Sequence, residues 1–146
     1  MEDNNRNKIT VLGSVNYDTF VFVQRPPEIG ETITGSSLKT ACGGKGANQA
    51  VTIGKLGYKV DFVGQFGGDA CREVIQEQMR KDNVNLDRTR TVEGLPTGQA
   101  YILSYPNKDN SIIVVGGANM DWSGNDLQSL RDSISTCNLF SYLLFS

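Results

Sequence analysis

Three glycines in four positions, Gly43, Gly44 and Gly46, followed by Ala47, Asn48, Gln49 and Ala50, constrain this chain more than any other stretch. So little side-chain bulk predicts a tight turn running into a helix, against which a ligand or another main chain can lie closely. The N-terminus of such a helix supplies N–H donors. Lys45 adds a charge and Asn48 an amide, so the stretch reads as a polar cradle for a hydroxyl-rich or phosphorylated small molecule. Taken alone, it reads equally as a turn that packs a helix onto a strand.

The flanking elements define the fold class. Lys8–Gly13 is a short β-branched run ending on glycine, the shape of a buried first strand in an α/β sheet. Ser14, Asn16 and Asp18 follow it, and in such sheets ligands bind outside the carboxyl ends of the strands. Asn16 and Asp18 share one face of an extended segment and so can address one ligand; the alternative is local turn chemistry. From Lys45 to Leu56, Ala47, Ala50, Val51 and Gly54 recur at helical spacing, predicting a helix with a narrow buried face that stops at Gly57. Lys59–Gly64 predicts the next strand. Asp69 then N-caps a helix whose apolar face is Cys71, Val74, Ile75 and Met79, which places Cys71 in the core. Ser123-x-x-Asp126 resembles a capping box before a helix with Leu127, Leu130 and Ile134 on its apolar face, and Leu139–Phe145 predicts a final strand. Residues 1–146 therefore read as an incomplete, Rossmann-like, doubly wound and mainly parallel α/β sheet, with too few helices to cover both of its faces.

Several runs do not fit a simple βαβ unit. Thr19–Val23 and Glu31–Thr34 predict two short strands between the first core strand and the first core helix, where a loop of a few residues is usual. Leu86–Val92 predicts an edge strand or loop. Gly98–Tyr105 and Ser111–Val115, joined by Pro106–Asn110, predict a hairpin. Segments 19–40 and 86–115, with approximate bounds, are thus expected to form a small inserted sheet acting as a lid beside the ligand site.

Composition narrows the chemistry. With 14 Lys and Arg against 16 Asp and Glu, the net charge of −2 offers no electrostatic case for nucleic acid or an anionic membrane. There is no histidine, which excludes Ser–His and Cys–His nucleophiles and any histidine-bearing metal site. Cys42, Cys71 and Cys137 are widely spaced, so neither a disulfide framework nor a zinc site is expected. The polar N-terminus carries no signal or transit pattern and no stretch is long enough to span a membrane, so the expected location is cytoplasmic.

The order Gly13-Ser14-Val15-Asn16-Tyr17-Asp18, Gly30-Glu31-Thr32, Gly43-Gly44-Lys45-Gly46-Ala47-Asn48-Gln49-Ala50, Thr97-Gly98 and Gly117-Ala118-Asn119 resembles the N-terminal half of the ribokinase-like (PfkB-type) carbohydrate kinases over roughly Lys8–Ile134. The form Lys45-Gly46-Ala47-Asn48-Gln49 looks most like the ribokinase branch. The resemblance implies that Asn16, Asp18, Gly43, Gly44 and Asn48 hydrogen-bond sugar hydroxyls, with Lys45 beside them. It implies transfer of the γ-phosphoryl group of ATP to the 5-hydroxyl of D-ribose, with Mg2+ and a monovalent cation such as K+. It also implies a homodimer paired through the lid.

Departures from the family lie at the C-terminal end. A sugar-binding glutamate expected after the strand near Leu139–Phe145, the Asn-x-x-Glu motif near magnesium, and the Gly-Ala-Gly-Asp motif with the catalytic aspartate and backbone anion hole do not occur in these 146 residues. Phosphoryl transfer depends on positioning and charge neutralisation, so the expectation is a truncated chain that carries the sugar half without the ATP and catalytic half, and no turnover alone. The competing expectations are a non-catalytic form that binds a sugar or pairs with a full-length subunit, and a fragment that does not fold stably.

Overall fold

The computed structural model describes residues 8–123 and 139–143, together with 128, 130–132 and 135. Its centre is a four-stranded parallel sheet of β1 (Lys8–Gly13), β4 (Lys59–Val63), β6 (Val84–Asn85) and β10 (Leu139–Leu143), in the order β10-β1-β4-β6. The chain steps from β1 to β4 to β6 in one direction and adds β10 on the other side of β1. This reversal beside β1 is the topological switch point at which open α/β sheets bind ligands.

Helix α1 (Lys45–Lys55) packs on β1 and β4 with Gly46, Ala47 and Ala50 buried, while its buried Gly54 lies against the Asp82 carbonyl. The small residues bring helix and sheet into backbone contact: a Cβ on Gly46 would lie 2.6 Å from the Cα of Gly13. Gly57, at φ 87°, ends the helix in the left-handed region that glycine enters at little cost. Helix α2 (Ala70–Lys81) is capped by Asp69, whose carboxylate accepts from the Arg72 amide at 3.1 Å. Its buried residues are Ile75 and Met79; Val74 is 52% exposed and Cys71 only half-buried, so the apolar face predicted for this helix is narrower than its sequence. With Val11, Val15, Val60, Phe62, Phe66, Val84 and Leu86, the buried faces of α1 and α2 form one core.

The remaining strands build a second sheet from β2 (Asn16–Phe22), β3 (Ser37–Gly43), β8 (Gly98–Ser104) and β9 (Asn110–Val115), ordered β3-β2-β8-β9. Strands β2 and β8 run parallel and each outer pair is antiparallel. Between the sheets, β5 (Gln65–Gly67) pairs with β7 (Arg90–Val92), and a 3₁₀ turn, η1 (Gly117–Met120), packs on β5 and β8.

One strand and one turn are corrected. Glu31–Thr34 is not a strand but part of a largely exposed loop over residues 24–36. Register explains this: β2 pairs with 37–43, from Phe22↔Ser37 to Asn16↔Gly43, leaving 31–34 without a neighbouring strand despite its β-branched residues. Instead Glu31 binds Arg25, whose guanidinium hydrogen bond holds that carboxyl down at about 2, and accepts from the Glu28 amide. Likewise, Gly43 is the last residue of β3 and Gly46 already lies in α1, so the turn between them is Gly44 alone. Leu127 and Ile134 of the last predicted helix, and Asp126 of its capping box, lie outside the described residues; residues 128, 130–132 and 135 are helical.

Candidate functional site

The site is the junction where β1 ends and β2 leaves the parallel sheet for the second one. The Ser14 carbonyl accepts from the Ala47 amide at 3.0 Å, tying this turn to the start of α1. Gly44 makes the fit possible. It sits at φ 89°, and a Cβ there would lie 2.6 Å from the Ser14 oxygen, 2.7 Å from the Val15 Cα and 2.9 Å from the Asn16 nitrogen. Any side chain would separate the amino end of α1 from the strand that carries the polar residues.

Alternation along β2 places Asn16 and Asp18 on one face. Across the strand pair Asn16 faces Gly43 on one side and Gly98 on the other, so it is flanked by two residues without side chains. The Asp18 carboxylate lies over Gly43: a Cβ on Gly43 would collide with both oxygens and the carboxyl carbon. Asp18 Oδ1 is buried without a hydrogen-bond partner, and burial raises the carboxyl pKa above its ordinary value. A buried carboxylate oxygen with no donor is costly in isolation, and a hydroxyl group is the kind of ligand that would satisfy it.

Asn119 completes the cluster from a distance of more than 100 residues. It is 2% exposed. Its Oδ1 accepts from the Val15 amide at 3.0 Å, while its Nδ2 donates to the Val15 carbonyl and to Asn16 Oδ1, each at 2.9 Å. Gly98 leaves the room for this contact, since a Cβ there would meet both Asn119 Nδ2 and Asn16 Oδ1. The presence of Asn in the Gly117-Ala118-Asn119 run was legible in sequence; its reach to Asn16 was not.

Of the six residues predicted for the site, Asn16, Asp18, Gly43 and Gly44 meet at this junction. Lys45 and Asn48 are exposed on the first turn of α1, three residues apart and so on one side of it. Asn48 also borders a cleft of about 530 Å³ with Tyr17, Cys42 and Val51, between β3, α1 and α2. Tyr17 and Cys42 alternate with Asn16 and Gly43, so this larger cleft opens on the opposite face of β2 and β3 from Asp18. Behind the junction, Asp69 accepts from the Thr97 amide and hydroxyl, each at 2.7 Å, and Thr97 Oγ1 accepts from the Gly67 amide at 3.0 Å. These bonds hold the start of β8, and hence Gly98, against α2.

No group of three or more His, Cys, Asp or Glu side chains able to hold a metal ion occurs among the described residues. No helix among them is long and apolar enough to cross a membrane.

The sequence profile of the pfkB family carbohydrate kinases matches residues 6–145. The chain belongs to the pfkB family of carbohydrate kinases. Within that family it is 43% identical over 132 residues to ribokinase of Arabidopsis thaliana, an alignment covering 86% of this chain and 35% of the relative. It is 32% identical over 131 residues to deoxyribokinase of Salmonella typhi, covering 90% of this chain and 43% of the relative. The structure of Arabidopsis thaliana ribokinase complexed with ribose and ATP superposes with a TM-score of 0.80 at 38% identity, over 93% of this chain and 45% of that one. This pfkB-family chain therefore has the ribokinase-like α/β fold and spans less than half the length of these relatives.

Proposed function

We propose that this carbohydrate-kinase chain carries the sugar-binding half of a ribokinase, the enzyme that transfers the γ-phosphoryl group of ATP to the 5-hydroxyl of D-ribose. The observation that carries the reading is Asp18, whose buried, partnerless oxygen lies over Gly43 on the same strand face as Asn16. A carboxylate accepts from hydroxyls and an amide donates to them, and bare glycine backbone lets a small ring lie flat against the strands. The ribose and ATP bound to the Arabidopsis relative support the same substrate pair.

ATP, Mg2+ and K+ belong to the proposed full reaction, in which the nucleotide supplies the phosphoryl group and the cations neutralise its charge. The part of that reaction proposed for this chain is the sugar site. Asn16 and Asp18 bind and orient the sugar, the amino end of α1 beginning at Lys45 closes one side, and the second sheet is proposed to serve as the lid. The 146 residues by themselves are expected to bind ribose without phosphorylating it.

Titration calorimetry with D-ribose, run beside an assay for ATP-dependent ribose phosphorylation, tests both parts. Ribose binding abolished by Asp18→Ala, with no turnover, is the expected result. Absence of ribose binding to the folded chain would remove the sugar-site reading, and turnover by the chain would remove its restriction to the sugar half.

A second reading, pairing of two chains through the second sheet, rests on its exposed apolar residues. Leu38 and Ile113 are each 64% exposed, with Ile112 and Val114 beside Ile113 on the edge strand β9. An unpaired edge and an exposed apolar face are the usual conditions for association between sheets.

A further inference from the structure

We propose that a cavity at the carboxyl end of β4, apart from the sugar site, binds a small organic carboxylate through Gln65, Arg88 and Arg90, with Trp122 against its carbon body. The inference does not depend on the sugar-site reading.

The cavity measures about 260 Å³, and its walls include Val63 and Gln65 where β4 passes into β5, Asp87, Arg88 and Arg90 on the way into β7, and Trp122 just beyond η1. None of these residues belongs to the junction around Asn16 and Asp18, and none borders the larger cleft beside Cys42. Register brings its two sides together. Gln65 pairs with Arg90 across β5 and β7, and the Arg90 amide donates to the Gly64 carbonyl at 3.0 Å.

Gln65 supplies the observation that points to a ligand. It is 2% exposed, and its Oε1 accepts from Arg90 Nη2 at 3.3 Å, while its Nε2 is buried with no acceptor. A guanidinium donates and never accepts, so the amide cannot be turned round without setting two donors against each other. The wall therefore holds a donor whose need is met by an acceptor, and a carboxylate is acceptor-only.

The arginines set the charge. Arg88 Nε lies 3.4 Å from the Asp61 carboxylate, which in turn accepts from Asn85 Nδ2 at 3.0 Å. Arg90 Nη2 donates to the Asp121 carbonyl at 2.7 Å and to the Asp121 carboxylate. Neither Asp61 nor Asp121 lines the cavity, so both guanidiniums are anchored from outside it. Among the described residues the lining carries two arginines against one acid, Asp87. Planar guanidinium and amide donors match the two oxygens of a carboxylate. Val63 and the indole of Trp122, whose Nε1 is already given to the Asn119 carbonyl at 2.9 Å, add apolar surface that suits a carbon body and that a bare inorganic anion would leave uncovered.

Trp122 is the one tryptophan of the chain, so nitrogen–proton NMR gives a single indole signal, and it comes from the cavity wall. The test follows that signal and the Gln65 side-chain amide in the 146-residue chain, titrated with benzoate, benzamide and inorganic phosphate at constant ionic strength. Benzoate should shift both signals saturably and bind about tenfold more tightly than benzamide, its neutral isostere. Phosphate should bind more weakly than benzoate. Gln65→Glu keeps the acceptor for Arg90 and removes the donor, and should weaken benzoate about tenfold or more. The proposal is overturned by the lack of a saturable shift, by equal binding of benzoate and benzamide, or by a Gln65→Glu chain that binds benzoate as wild type does. Tighter binding of phosphate than of benzoate overturns the assignment to a carboxylate. Should the Gln65→Glu chain fail to fold, the contrast between benzoate and benzamide in wild type decides.

Discussion

Replacing Asp18 with asparagine should make the protein more stable and a worse sugar binder. The substitution keeps the side-chain shape and removes the charge. In the native chain one carboxylate oxygen is buried with no donor, and burial raises the carboxyl pKa. The sign follows from that direction. A raised folded-state pKa means the folded protein takes up the proton before the unfolded chain does. Stability associated with the protonated form is therefore complete below the unfolded value of about 3.9 and is lost as pH rises through the raised folded value. At pH 7 the ionised carboxylate is a net cost. An unsatisfied buried polar group costs about 1–3 kcal/mol and more when it is charged; asparagine keeps the unpartnered atom and removes the charge, and because Asp18 is only half-buried the gain from Asp18→Asn should be about 1 kcal/mol. For a chain of 146 residues that raises Tm by about 3 °C. The gap should narrow as pH is lowered towards 4. Ribose affinity should meanwhile fall by about ten- to a hundredfold, the worth of a hydrogen bond to a charged group. Thermal unfolding at pH 4, 5.5 and 7, paired with calorimetric titration of ribose at pH 7, measures both. An Asp18→Asn variant less stable than wild type at pH 7, or one that binds ribose as well, would refute the claim that the carboxylate is held for a ligand at a cost to the fold.

Three further outcomes are expected. Gly43→Ala adds a methyl group where the Asp18 carboxylate now lies, so ribose binding should be lost by calorimetry while denaturant titration shows a loss of only about 1–3 kcal/mol, the usual overpacking cost. Asp69 has the opposite pH sign from Asp18: burial by itself pushes its carboxyl up, but the hydrogen bonds from the Thr97 hydroxyl and amide and the Arg72 amide, with the Arg72 charge, outweigh it and hold the pKa below the ordinary value. Asp69→Ala should therefore cost about 2 kcal/mol at pH 7 through the lost cap and Thr97 bonds, and the difference from wild type should shrink as pH falls below 4 in a denaturation series. Placing lysines at Ile112 and Val114 on β9 should convert a concentration-dependent dimer into a monomer in analytical ultracentrifugation; a wild-type chain that is monomeric at all concentrations would exclude pairing through the second sheet.

The sequence by itself determined the α/β class, the strand that opens it, both main helices and the residues at the head of β2. Each signal is local: a β-branched run, a helical stripe of small residues, an Asp cap and glycine stops all act through neighbours a few positions away. Motif order added the family. Local signals failed where pairing decided. Thr32-Ile33-Thr34 has strand-forming residues and no strand, because the register of β2 with 37–43 leaves it without a partner. Val74 occupies the predicted apolar face of α2 and is half exposed, since only Ile75 and Met79 meet the sheet. The site shows the same division. Asn16 and Asp18 were legible as a pair because alternation on a strand is a property of two residues, whereas Asp18 over Gly43 and Asn119 against Asn16 depend on register between strands and on a turn more than 100 residues away. Sequence chose the polar groups; tertiary structure decided which of them are buried together, and therefore which hydrogen bonds are left for a ligand to make.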